Sequence, residues 1–267
     1  WWSRGIGGRS ALDYLIKVKG YSFLEAVETI IGHTAIQTPV YEKPQSKEEN
    51  KPLLLPEKCA SNRVITEYLF GRGIDFEIIN YCISNDLIFE SLPYHNVVFV
   101  GYDEKKEPKY AAYRSTNKRR IMGDCSGSKK DYSFRLGKEN LEEVHLFECA
   151  IDLLSYATLA KLNGQDWKEM SFVSLSGVYS PAKKIEDSKV PIALEKYLGS
   201  NPSVRKIRIH FDNDIAGRKA AQTLKTILPD KYEIVDEPPK AGKDFNDFLC
   251  MRMGIYNKKT HERNEER

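Results

Sequence analysis

Acidic residues stand at the ends of three apolar runs in the second half of the chain. "VHLFE" ends in Glu148. "KIRIHFD" ends in Asp212, with Asp214 two residues on. "YEIVDE" is followed by "PPKAGKDFND", which brings Asp244, Asn246 and Asp247. One such acid has an ordinary use: Asp214 is a natural helix N-cap whose oxygen satisfies a backbone N–H. Several on one edge call for more, because crowded carboxylates raise one another's proton affinity and repel unless a cation neutralises them. An all-oxygen set suits a hard divalent ion, Mg²⁺ or Mn²⁺, which keeps several waters and bridges to phosphates. Gly217 lets a phosphate or a second backbone come close to the start of the helix after Asp214.

The elements that must position these acids are readable from residue 144 onward. The strand-like runs "VHLFE", "SFVSLS", "KIRIHFD" and "YEIVDE" alternate with helical stretches. These helices are "AIDLLSYATLAKL", with a face of Ile151, Leu154, Ala157 and Leu162, a segment within "VPIALEKYLGS", residues 215–228 and "DFNDFLCMRMG". Such alternation predicts a four-stranded, mainly parallel sheet with helices on both faces. Right-handed crossovers then bring the acidic loops to one edge, beyond the carboxyl ends of the strands. Upstream, 61–83 reads as helix, Gly-Arg-Gly turn, helix, with Asp75 a cap. The short β-prone runs "LIFE", "NVVFVGY", "PKYAAYRS", "RRIMG" and "DYSFRL" predict an antiparallel sheet. The fold class is α/β (α+β overall). Residues 10–31 read as two short helices capped by Ser10 and Ser22 and separated by Gly20. Residues 38–58, with four prolines and many charges, read as a linker. The expected segments are 1–37, the linker 38–58, a helical and antiparallel part 59–140, a parallel-sheet domain 141–253 and a charged tail 254–267.

Between 114 and 138 lie eight Lys or Arg against two Asp, interleaved with Tyr132 and Phe134. A solvated face has the same look. Beside an acidic rim, the run reads as a groove for a single nucleic-acid strand, held by phosphate neutralisation and stacking. Arg114, Arg119, Arg120, Lys129 and Lys130 are its candidates. His145 and His210 sit inside strands and read as core or edge residues. Cys149 beside Glu148 has no helpfully spaced His partner. The five cysteines form no C-x-x-C pair, which fits a reduced, cytoplasmic setting and disfavours a zinc site built from them. No apolar run of about 18 residues is present, so no membrane span is expected. The opening "WWSRGIGG" has neither an initiating Met nor a signal region and reads as the start of a fragment or processed chain.

"VHLFECAIDLLSYATL", "IHFDNDIAGRKAA" and "GKDFNDFL" together resemble a Toprim domain, the metal-binding module of DnaG-type bacterial primases, type IA and II topoisomerases and some nucleases. Glu148, Asp212 and Asp214 match the family's Glu and Asp-x-Asp, and Asp244 matches the first acid of its last segment. The residue partnering Asp244 is Asn246 or Asp247. "DNDIAGRKAA" is most similar to the primase version. "YLFGRGI" and "VVFVGYDEKKEPKYAAYRST" resemble the start and basic sheet of a primase core. "RGIGGRSALDYLIKVKGYSFLEAVETIIG" resembles the C-terminal half of a primase zinc-binding domain, with Trp1-Trp2-Ser3-Arg4 where the Cys-x-x-Cys ligands would stand.

The resemblance implies a metal-dependent nucleotidyltransferase working on single-stranded DNA and nucleoside triphosphates, similar to primase-like Toprim proteins of plasmids and integrative elements. One or two Mg²⁺ or Mn²⁺ ions would be held by Asp212, Asp214 and Asp244, with Asp247, and Glu148 would serve as general acid/base or complete the metal shell. Lys109, Arg114 and Arg218 would face nucleic acid or nucleotide, no zinc would be present, and a helicase or relaxase of the same element would be a partner. A Toprim nuclease and a binding accessory protein without chemistry are the alternatives.

Overall fold

The structure, a computed structural model, describes residues 11–22, 25, 26, 29, 30 and 51–255 apart from 178, 180, 183 and 184. The chain divides into two compact units, Trp1–Glu49 and Asn50–Arg267. In the first, α1 spans Ala11–Lys17. Ser22 and Glu25 form a capping box: the Ser22 N–H donates to Glu25 Oε2 (2.8 Å), and the Glu25 N–H donates to Ser22 Oγ (3.3 Å). The expected Ser10 cap, the Trp1–Arg4 segment, residues 38–50 and the tail from 256 lie outside the described residues.

The second unit opens with 51–58 lying along a sheet. The Leu54 N–H donates to the Ser126 carbonyl (2.9 Å), and Lys58 bridges Ser91. Helices α2 (Arg63–Phe70) and α3 (Phe76–Ser84) follow, joined by the Gly-Arg-Gly turn, where Gly73 has φ +81. Asp75 caps α3 as expected, accepting from the Glu77 N–H at 2.9 Å. Strands β1 (Ile88–Glu90), β2 (Val97–Tyr102), β3 (Pro108–Arg114) and β4 (Met122–Asp124) form a sequential antiparallel sheet.

The fifth β-prone run goes elsewhere. Within "DYSFRL", β5 (Arg135–Gly137) pairs antiparallel with β7 (Ser171–Ser174) at the edge of the second sheet. That sheet therefore has five strands rather than the expected four, in the order β5-β7-β6-β8-β9, where β6 is Glu143–Phe147, β8 Lys206–Ile209 and β9 Glu233–Asp236. The last four are parallel, as predicted.

Alternation along β6 divides the core. Val144 and Leu146 pack with Ile207, Ile209 and Leu224 on the face covered by α5 (Ile192–Ser200) and α6 (Ile215–Ile227). Phe147 packs on the opposite face with Leu154 of α4 (Ala150–Leu162) and Leu249 of α7 (Phe245–Arg252). This second cluster runs on into Leu69, Ile78 and Phe99, so the helical pair, the antiparallel sheet and the parallel sheet share one core. Sandwiched there, α4 is buried almost all round, as a helix without a polar face must be. The expected single apolar face fails at Leu162, which is 48% exposed.

Candidate metal and phosphoryl-transfer site

Each predicted acid lies where a parallel strand hands over to a helix. Glu148 follows β6 and precedes α4; Asp212 and Asp214 lie between β8 and α6; Asp244 and Asp247 lie at the start of α7. The amino ends of these three helices therefore meet one rim, and their positive dipole ends partly offset the carboxylates.

Glu148 is buried, with 5% exposure, and its Oε1 accepts the Asp212 N–H at 3.2 Å. Burial, reinforced by Asp212 and Asp214, pushes its carboxyl up to about 7. Burial also raises Asp212, against the pull of Lys243. Asp214 is held below the usual carboxylate range, chiefly by the Gly217 N–H. The capping reading and the ligand reading of Asp214 do not compete. Its Oδ1 accepts the Gly217 N–H (2.9 Å), while its Oδ2 faces Lys243 Nζ at 3.2 Å. Asp212 Oδ2 meets the same ammonium at 3.2 Å.

Gly217 allows a second backbone to come close. A Cβ there would stand 2.2 Å from the Asp212 carbonyl oxygen and 2.9 Å from Glu148 Oε1. Asp244 caps α7 through the Asp247 N–H (2.7 Å). Asn246 is buried in structural work: its N–H donates to Asp152, and its amide donates to the Arg72 carbonyl and Ser155. Asp247 is the half-buried acid beside Asp244, its carboxyl raised by burial and then by Asp244.

Two residues escaped the sequence reading. Asp152, in the first turn of α4, is buried and pushed up to about 7 by desolvation and by Asp244. Cys149 donates its thiol to Asp152 (2.8 Å), and burial raises the thiol well above its ordinary value, which disfavours it as a nucleophile. Lys243 is the cation at the centre of the Asp-x-Asp pair, and its own ionisation is raised by that contact. Its place directly before Asp244 was the available signal.

The oxygen-only donor set fits Mg²⁺ or Mn²⁺, and Mg²⁺ needs only one or two carboxylates because it retains waters. Among the described residues, the groups whose potential ligand atoms all lie within 4.8 Å of one another are not these acids but Cys59, Glu90 and His95.

The basic candidates separate. Arg114 and Lys130 line a cavity of about 300 Å³ between the antiparallel sheet and the ends of β6 and β7, with Cys149, Ile151 and Ser176 on the far wall. Arg114 also donates to the Tyr68 hydroxyl (3.1 Å), and Lys130 pairs with Asp124 (3.1 Å). Arg119 and Arg120 are exposed in the β3–β4 turn, and Lys129 is exposed. Lys109 is held by Glu107 (2.6 Å) and Asp103 (3.4 Å). Arg218 turns inward, donating to the Phe211 and Asp212 carbonyls and to Asp236 (2.7 Å). Phe134 is no stacking platform, because it is 1% exposed and packs edge-on against Phe99. The histidines are core residues as read, although only His145 lies in a strand and His210 follows the end of β8: both are buried and stacked, with Nδ1 of the first 2.9 Å from Nε2 of the second.

A parallel sheet with acids gathered past its strand ends, preceded by an antiparallel sheet and a helical pair, is the class this geometry defines. Residues 145–249, the stretch from β6 into α7, match the family described as Toprim-like. Residues 67–140 match a family described as a protein of unknown function (DUF3991). No curated protein matches the chain. Among solved structures, the primase fragment of the bacteriophage T7 primase-helicase is similar at 18% identity, covering 70% of this chain and 69% of that one, with a TM-score of 0.47. A DNA primase domain from Pseudomonas aeruginosa shows 15% identity, covering 72% and 68%, with a TM-score of 0.46. The DnaG primase catalytic domain bound to ssDNA shows 12% identity, covering 78% and 74%, with a TM-score of 0.46. Among the described residues, no helix is long and apolar enough to cross a membrane.

Proposed function

We propose that the chain is a primase-like, metal-dependent nucleotidyltransferase that joins nucleotides on single-stranded DNA, in the replication or transfer of a mobile genetic element. One observation carries this reading: the Asp212 N–H donates to Glu148 while Lys243, next to Asp244, contacts Asp212 and Asp214. The three acidic segments thus meet at one rim, within a Toprim-like domain. Asp212, Asp214 and Asp244, with Asp247 beside them, would hold one or two Mg²⁺ or Mn²⁺ ions. Such ions stabilise the attacking and leaving oxygens of phosphoryl transfer. Glu148, with a carboxyl near neutral pH, is suited to take or return a proton there. Asp152 fixes the start of α7 through the Asn246 N–H. Arg114, which lines the cavity beside the rim, would contact a strand lying across the antiparallel sheet, and Lys130 would join it on release from Asp124. A helicase or relaxase of the same element is the expected partner, in a cytoplasmic setting.

The test is one incubation of the chain with single-stranded DNA, labelled nucleoside triphosphates and Mg²⁺ or Mn²⁺. The expected result is metal-dependent label incorporation that is abolished by Asp212→Ala with Asp214→Ala, with the fold retained by circular dichroism. DNA shortening without incorporation would make the chain a nuclease. Incorporation that survives the double substitution would remove these acids from the chemistry.

A further inference from the structure

Cys59, Glu90 and His95 come from three places in the second unit: the segment before α2, the last residue of β1, and the loop between β1 and β2. Cys59 Sγ, a Glu90 carboxylate oxygen and a His95 ring nitrogen all lie within 4.8 Å of one another. Backbone contacts enforce the meeting. The Cys59 N–H donates to the Glu90 carbonyl (2.8 Å), and Lys58 bridges Ser91. The carboxylate of Glu90 is itself built in. It is 1% exposed, and Oε2 accepts the N–H groups of Val64 (2.9 Å) and Ile65 (3.2 Å) at the start of α2. Its other oxygen, Oε1, stands 2.5 Å from His95 Nδ1. The His95 carbonyl is fixed in turn by the Thr116 hydroxyl (3.0 Å). The His95 side chain is 46% exposed, so solvent reaches the open side of the cluster.

We infer that these three side chains form a zinc site, separate from the acidic rim. Sulfur, imidazole and carboxylate are the zinc ligand types, and three of them with a water complete a tetrahedron. Thiolate and carboxylate together neutralise the ion's two charges. Two ligands each at about 2.0–2.1 Å from one tetrahedral ion stand about 3.3 Å apart, so Glu90 and His95 need to open by less than about 1 Å. The two N–H groups on Oε2 orient the carboxylate in the way that outer partners orient metal ligands. A plain Glu90–His95 ion pair would explain those two residues but gives the cysteine no part. The ion would clip the segment entering α2 to the edge strand of the antiparallel sheet. This reverses the expectation of no zinc: the ligands are spaced by 31 and 5 residues, and no paired motif announces them.

Cobalt(II) reports the thiolate directly. The full chain, stripped with a chelator, is titrated with Co²⁺ and then Zn²⁺ and followed by absorption spectroscopy. A single equivalent of Co²⁺ is expected to raise a thiolate-to-cobalt charge-transfer band in the near ultraviolet, which an equal amount of Zn²⁺ removes. The band disappears in Cys59→Ser and persists in Cys149→Ser and in Asp212→Asn with Asp214→Asn, which separates this site from the rim. His95→Gln, on an exposed loop, keeps the thiol and weakens Co²⁺ binding by about tenfold or more, so the outcome does not depend on the serine variant folding. No band in the wild-type chain, a band surviving Cys59→Ser, or unchanged affinity in His95→Gln overturns the site.

Discussion

Glu148 carries a charge problem that pH can expose. Its carboxyl sits near 7 in the folded chain, against 4.5 for a free glutamate, because it is buried beside other acids. Between those values the folded state keeps a proton that the unfolded chain releases. Stability contributed by the protonated form is therefore complete below pH 4.5 and is lost as pH rises towards 7, by at most about 1.4 kcal/mol per pH unit. Glu148→Gln cannot titrate. In chelated, metal-free buffer, urea midpoints should show the variant gaining on the wild type between these pH values, with a constant difference outside them. A difference that stays flat across the window would mean that Glu148 is already ionised and solvated. At this scale the sequence was informative where a residue's type and place at a strand end sufficed, as for Glu148, Asp212, Asp214 and Asp244. It was silent on Asp152, because an acid in the first turn of a helix is ordinary until the fold sets it against Asp244. The choice between Asn246 and Asp247 needed the partners of Asn246, which come from Arg72, Asp152 and Ser155.

At the scale of elements, the rim depends on how closely α6 approaches the end of β8. Gly217 makes that approach possible, since a Cβ would fall 2.2 Å from the Asp212 carbonyl oxygen, well inside contact distance. Gly217→Ala must push α6 away or twist the Asp212–Asp214 loop. It should cost about 2–3 kcal/mol in denaturant unfolding, on the scale of overpacking, and weaken Mn²⁺ binding at the rim. Gly199, in α5, has open space around its Cβ position. Gly199→Ala should stabilise by about 0.5–1 kcal/mol through helix preference alone. Equal responses at the two positions would show that the close approach is not a constraint. The four parallel strands were legible because apolar runs alternated with helices of sufficient length. The pairing of β5 was not: "DYSFRL" read as β-prone, but a three-residue strand in a charged stretch carries nothing that names its partner, and only the open edge of β7 decides where it pairs. Phe134 was misread for the same reason: its basic neighbours suggested a surface, while the core beneath Phe99 claimed the ring.

At the scale of the whole molecule, the basic candidates form a less uniform surface than the composition implies. Lys109 and Lys130 are neutralised by Glu107 and Asp124, and Arg218 ties the end of β8 to Asp236. Arg119 and Arg120 instead project into solvent from the β3–β4 turn, on the same sheet whose Arg114 reaches the cavity beside the acidic rim. If a single strand crosses this sheet to the rim, each phosphate neutralised contributes about 0.7 to the slope of log affinity against log salt. Arg119→Ala with Arg120→Ala should therefore flatten that slope by about 1.4, two phosphates' worth, and weaken binding most at low salt. Lys109→Ala should leave it nearly unchanged, because Asp103 and Glu107 already balance that charge. Fluorescence anisotropy with labelled oligonucleotides over a salt series measures both. A slope unchanged in the arginine pair but flattened by Lys109→Ala would move the strand's path to the opposite end of the hairpin, away from the rim, and the basic turn would then be only a solvated face.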